Sequence, residues 1–159
     1  MTFAYGRVRT ADQQSASQRL EIEQAGYDID DETWFADVVS GKVPAMQRRQ
    51  FTVMLERMRK GERLVVTKLD RLGRDAIDIQ ATVRMLAARQ IEVVVLQLGK
   101  VDLASSAGKM MLAMLAAVAE MERVLLVEPY KAGTSISSLA RAYGISRASV
   151  LAIVKPMAS

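Results

Sequence analysis

Phe3-Ala4-Tyr5-Gly6-Arg7-Val8-Arg9-Thr10-Ala11-Asp12-Gln13-Gln14 is the stretch from which the fold is read. Its first half alternates small or apolar residues as a strand does. Asp12 then offers an N-cap oxygen to a helix predicted to run to about Gln24, where Gly26 stops it. A strand turning directly into a helix opens a β-α unit, and the same alternation continues outward. Residues 33–39 are expected as a second strand and residues 40–44 as a loop. Residues 45–60 place Phe51, Met54, Leu55 and Met58 at helical spacing before Gly61. Residues 63–67 predict a third strand, and residues 75–89 a helix presenting Ile77, Ile79, Val83, Leu86 and Ala87. Residues 91–96 are apolar on both faces, as a central parallel strand would be. The expectation is an α/β, three-layer domain: a doubly wound, mostly parallel central sheet between helices, with right-handed crossovers.

Past residue 105 the pattern changes. Met110, Met111, Leu112, Met114, Leu115, Val118, Met121, Leu125 and Leu126 make residues 106–127 a long helix that is apolar around most of its circumference. Such a helix needs partners on more than one side. It either packs on its own sheet or serves as a dimerisation helix, a use that suits adaptable methionines. Pro129 is expected to end it. Residues 135–143, Gly144 and residues 145–154 then read as helix, turn, helix, with Leu139, Ala140, Ile145, Val150 and Ile153 as the shared seam. This is either a generic helical hairpin or a helix-turn-helix whose second helix opens with Ser146-Arg147-Ala148-Ser149. Three parts are expected: residues 1–105, 106–128 and 129–159.

The chain has 159 residues, half of them hydrophobic and a quarter charged, which suits one compact domain with a small appendage. With no Cys there are no disulfides or thiolate sites, and with no His only carboxylates remain to bind a metal. The usual general base is missing too. Neither a signal-peptide core nor a membrane-length apolar run is present, so a cytoplasmic protein without a membrane partner is expected. The net charge of +4 allows a polyanionic partner.

A second motif, Lys68-Leu69-Asp70-Arg71-Leu72-Gly73-Arg74, lies sixty residues beyond the first. Together the two resemble the catalytic domain of the serine recombinases, the resolvase and invertase family. In that family the first motif ends Arg-Val-Ser-Thr, and its serine attacks a DNA phosphodiester. Here the corresponding residues are Arg7-Val8-Arg9-Thr10, so Arg9 stands at the nucleophile position. The resemblance implies that Arg7, Arg48, Arg71 and Arg74 bind phosphate, with Arg49 a rival to Arg48. It makes Asp70 the residue that orients a guanidinium or shuttles a proton, and Gln13 and Gln18 the side chains that hold the nucleophile segment. It further implies double-stranded DNA as substrate and a covalent phosphoseryl-DNA intermediate. The expected assembly is a homodimer that becomes a tetramer in a synaptic complex, with no metal and no small-molecule cofactor. Ser146, Arg147 and Ser149 would contact DNA.

The chemistry fits these residue types. A guanidinium fork matches phosphate bidentately and keeps its charge, so several together can take the place of metal ions in phosphoryl transfer. Arginine has no hydroxyl to form the covalent link. Thr10 is expected on the opposite face of an extended segment, and Tyr5, Ser15 and Ser17 lie further off. The C-terminal part departs from the family as well. Val127-Glu128-Pro129-Tyr130-Lys131-Ala132-Gly133 passes almost directly into the last two helices, where the family has an Arg- and Gly-rich crossing and another helix. A two-helix remnant buries little apolar area and is expected to be marginal alone. Two functions are expected from this: a site-specific recombinase impaired at Arg9, or a non-catalytic DNA-binding and dimerising regulator or dominant-negative partner. A degenerate product is a third reading. An unrelated phosphate-binding enzyme is disfavoured by the lack of a Gly-rich phosphate loop.

Overall fold

Strand β1 (Thr2–Val8) is buried at every position after Thr2, which requires neighbours on both edges and layers on both faces. The computed structural model supplies them; it describes residues 1–10 and 13–155, leaving aside the side chains of residues 13, 119 and 122. Strand β1 lies between β2 (Trp34–Val38) and β3 (Arg63–Val66), and β4 (Glu92–Val95) completes a parallel sheet in the order β2-β1-β3-β4. Side chains alternate between two cores. Phe3, Tyr5, Phe35, Leu64, Val66, Val93 and Val95 face Phe51 and Met54 of α2 (Arg49–Arg57) and Val83 and Leu86 of α3 (Ala76–Ala88). Ala4, Val65 and Val94 meet Ile22 of α1 (Gln13–Gln24) together with Ile29. With helices on both faces, this is the three-layer α/β arrangement that the sequence predicts.

Several expectations need correction. Strand β4 is an edge strand, although its residues read as central. It is covered on its outer side by Asp102 and Leu103: Val94 bridges Asp102, the Leu103 amide donates to Val93 O, and Asp102 Oδ1 accepts from the Val93 amide. That cover buries the edge and removes the need for polar residues there. The helix expected over residues 45–60 is broken. A 3-10 turn spans Ala45–Gln47, Arg48 is extended at φ −86° and ψ 119°, and α2 begins only at Arg49. Asp37, on β2, accepts from the Gln50 and Phe51 amides and so fixes where α2 starts. Strand β1 ends at Val8, and Arg9 and Thr10 form an exposed bend, so strand alternation does not govern where Thr10 points. Asp12, expected as the cap of α1, lies outside the described residues.

The chain divides into two compact units, Met1–Leu112 and Ala113–Ser159, a division that falls within α4 (Ser106–Glu122). Pro129 does not end the helical run. A π-helical segment, Arg123–Val127, follows α4, and α5 (Glu128–Lys131) starts with the proline in its first turn, where the missing N–H has no partner to lose. In the second unit α6 (Ile136–Tyr143) and α7 (Arg147–Val154) pack against that run. Leu126, Val127, Leu139, Ala140, Val150 and Val154 form a buried cluster, with Tyr130 and Ile136 beside it. The run thus supplies a third packing surface that a two-helix remnant lacks. Ile145, expected in the seam, is instead exposed. No helix among the described residues is long and apolar enough to cross a membrane.

Candidate functional site

In the order β2-β1-β3-β4 the chain leaves β1 toward one side of the sheet and reaches β3 on the other. Such a switch point opens a crevice at the carboxyl ends of the strands, where open α/β sheets bind ligands. Arg7 stands there near the end of β1, residues 39–43 follow β2, and the 3-10 turn Leu69–Arg71 follows β3.

Gln18, on α1, joins the pieces. Its Oε1 accepts from the Arg7 amide at 3.2 Å, and its Nε2 donates to Arg7 O at 3.0 Å, as a neighbouring strand would. The same Oε1 accepts from Arg71 Nε at 3.0 Å. Arg7 Nη2 then reaches Asp70 Oδ2 at 3.3 Å, and Arg71 Nη1 lies 3.0 Å from each Asp70 oxygen. Arg48 Nη1 donates to Arg71 O at 2.8 Å, and Arg48 Nε to Val43 O at 3.0 Å. The structure therefore brings together Arg7, Gln18, Arg48, Asp70 and Arg71. The extended backbone at residue 48 turns that guanidinium fully inward, whereas Arg49 is exposed.

Two expected members stand apart. Arg74 is half exposed, with its guanidinium toward Asp75 at 3.5 Å rather than toward the cluster. Arg9 lies exposed on the bend after β1. The Gln13 side chain lies outside the described residues.

Charge is poorly balanced in this crevice. Burial pushes the Arg71 guanidinium below its ordinary pKa; Asp70 opposes that, while Arg7 and Arg48 add to it. Arg7 Nε and Arg48 Nη2 are buried without a hydrogen-bond partner. A tetrahedral oxyanion would supply both the missing acceptors and the missing negative charge. Asp37 is a neighbour that the sequence reading missed. It is buried, accepts from Tyr5 Oη at 2.9 Å, and holds the start of α2 from which Arg48 projects. Burial, with Asp37 second, pushes the Tyr5 phenol well above its ordinary range and leaves it a poor nucleophile.

In the second unit, Ser146 and Ser149 stand at the start of α7. Ser146 Oγ caps α7 by accepting from the Ser149 amide at 3.0 Å, and the two hydroxyls share a 2.8 Å bond. Arg147 lies in the first turn of α7, exposed.

Comparison with known proteins places these features in company. Residues 2–137 match the family model described as the resolvase N-terminal domain. The Tn2501 transposon resolvase of Escherichia coli is 49% identical over 131 residues, covering 82% of this chain and 68% of its own. Serine recombinase PinR of Escherichia coli K12 is 45% identical over 131 residues, covering 82% and 67%. Among solved structures, the N-terminal catalytic domain of TP901-1 integrase superposes with a TM-score of 0.57 at 25% identity, over 79% of this chain and 98% of that one.

Proposed function

Because the chain belongs to the resolvase N-terminal-domain family, the serine recombinases, we propose that it is a DNA strand-exchange scaffold with its phosphate site in place and its nucleophile replaced. The observation that carries this reading is the network Arg7–Gln18–Arg71–Asp70, which ties the end of β1, α1 and the turn after β3 into one cationic crevice. Arg7, Arg48 and Arg71 hold the non-bridging oxygens of a DNA phosphodiester, and Arg74 enters from the rim. Asp70 keeps Arg7 and Arg71 in register. In an intact relative a serine hydroxyl at the Arg9 position would form the bond to phosphorus, and the displaced deoxyribose oxygen would take up a proton. Arg9 cannot make that bond, but as an exposed cation on the bend after β1 it adds to the positive charge that DNA meets. Duplex DNA is the partner, met at this crevice and through α7. A second copy docks along α4, where Met114, Val118 and Met121 form an exposed apolar stripe; pairs of dimers form the tetramer.

A second reading is favoured by the same residue. A chain that binds DNA and dimerises without cleaving acts as a regulator, or as a dominant-negative partner of an intact recombinase. Denaturing gels for covalent protein–DNA adducts, on DNA flanking the gene, test the first reading with the chain run beside its Arg9→Ser variant. The expected result is an adduct with the variant alone. An adduct with the unaltered chain would mean another hydroxyl serves. An Arg9→Ser variant that binds DNA tightly yet never cleaves would show the site to lie elsewhere.

A further inference from the structure

Residues 39–43 lie across the arginine cluster as a strap. Val39 O accepts from Arg7 Nη1 at 3.1 Å, and Val43 O accepts from Arg48 Nε at 3.0 Å, so one short segment holds both guanidinia through its carbonyls. The strap closes on itself through the Val43 amide, which donates to Ser40 O at 3.2 Å. Ser40 and Lys42 point to solvent, while Gly41 faces inward. A Cβ built on Gly41 would stand 3.2 Å from Arg7 Nη2, 3.3 Å from Cζ and 3.5 Å from Nη1. Near-equal distances to three atoms of one planar group mean that Gly41 lies on the face of the guanidinium rather than at its edge. Its φ is not in the left-handed region, so the turn itself does not call for glycine; space does. Beneath the strap Arg48 is 0% exposed and Arg7 9%, and each retains one unpartnered guanidinium nitrogen, Nη2 of Arg48 and Nε of Arg7. As the strap lies, neither arginine presents its full fork to a phosphate.

We propose that Gly41 is a positioning residue of the phosphate site, acting through Arg7: its missing side chain lets residues 39–43 close flat over Arg7 and Arg48, and phosphate gains those two arginines only when the strap lifts. This rests on the reading of the cluster as a phosphate site. A methyl at residue 41 would crowd the Arg7 guanidinium, so the strap or Arg7 must shift by a few tenths of an ångström, and a branched side chain demands more.

Arginine accessibility reports this without a known DNA site. The full-length chain and its Gly41→Ala and Gly41→Val variants are treated with phenylglyoxal, and modification of each arginine is followed by peptide mass spectrometry. Rates are read as ratios to Arg89, which is pinned on the Leu55 and Met58 carbonyls at the end of α2, so general loosening cancels. The expected result is that Arg7 and Arg48 both speed up by about tenfold in Gly41→Ala and further in Gly41→Val. Arg7 rising alone would mean a local clash with no strap, and neither rising would also overturn the proposal. The unaltered chain provides a check that needs no variant: Arg7 and Arg48 must react far more slowly than Arg74, and equal rates overturn the idea. In a separate arm a short duplex DNA is added. If Arg71 and Arg74 gain no protection, the phosphate reading fails, whatever the Gly41 series gives.

Discussion

Asp37 ties β1, β2 and the start of α2 together, although the sequence did not single it out. Its carboxylate serves the Tyr5 hydroxyl and two amides at the start of α2, and it does so buried. Replacing it by Ala leaves those donors without a partner, so Asp37→Ala is expected to lose about 3 kcal/mol of stability by urea unfolding. Asp37→Asn, which keeps one oxygen, loses less; losses equal to those of Asp37→Ala would mean that a single oxygen holds none of these donors. Tyr5 carries the matching pH dependence. Its folded pKa is raised by burial and by Asp37, so the native state prefers the protonated phenol. That preference contributes fully below the ordinary tyrosine value of about 10 and is lost progressively as pH rises beyond it. Melting temperature should therefore fall at alkaline pH, and the fall should shrink in Tyr5→Phe; an unchanged slope in that variant would exclude Tyr5 as its source. Arg7, Asp70 and Arg71 were legible in the sequence because two ordered motifs carry them, whereas Gln18 lies outside both and followed only from the family resemblance. Arg48 was legible only by counting, and only the broken helix separates it from Arg49. Asp37 belongs to no motif. The one signal it gave was an acid in the middle of Trp34-Phe35-Ala36-Asp37-Val38, where strands disfavour one.

Elements followed from periodicity where apolar spacing was strong and failed where backbone polar groups decided the matter. The strands and helices of the first unit appear in the predicted order. The 3-10 turn before Arg48 and the π-helical segment before Pro129 leave no periodic trace. Strand β4 read as central because burial, not position in the sheet, writes the apolar pattern, and Asp102–Leu103 bury it from outside. Gly108 is part of the same closure. A Cβ there would collide with Asp102 O and the Leu103 backbone, so the first turns of α4 lie directly on the covering segment. Gly108→Ala is expected to cost about 1–3 kcal/mol by overpacking, despite the better helix propensity of Ala. Stabilisation in urea unfolding would show that α4 can lift off this segment freely. At α7, Ser146, expected to contact DNA, also caps the helix. Ser146→Ala should cost about 1 kcal/mol, and Ser146→Asn should restore most of it. Circular-dichroism melting of the full chain measures both, and an Ala variant that melts like the parent would mean that the cap bond adds nothing to stability.

At the scale of the whole molecule, the sequence carried the layer architecture and the family but not the assembly. Side chains that cover a core and side chains that await a partner share one apolar alphabet, and residues 106–127 read the same either way. Exposure separates them: Leu112 is buried in the first unit's core, whereas Met114, Val118 and Met121 of the second unit remain in solvent at successive turns of α4. Exposed apolar side chains at helical spacing are what an interaction surface is made of. If it pairs copies, Met114→Lys with Val118→Glu should shift the chain toward monomer in sedimentation, leaving the fold of the first unit intact. The stripe also decides what a chain with Arg9 can do among intact relatives. Should it join them in mixed tetramers that need four working nucleophiles, activity falls with the fourth power of the intact fraction, not in proportion to it. Titrating this chain into recombination by the Tn2501 resolvase distinguishes the two courses. The stripe-disrupted variant should not poison the reaction, and Arg9→Ser should poison it far less than the unaltered chain. Inhibition that survives the stripe substitutions would come from occupying DNA alone, and would then weaken with salt as counterion release requires.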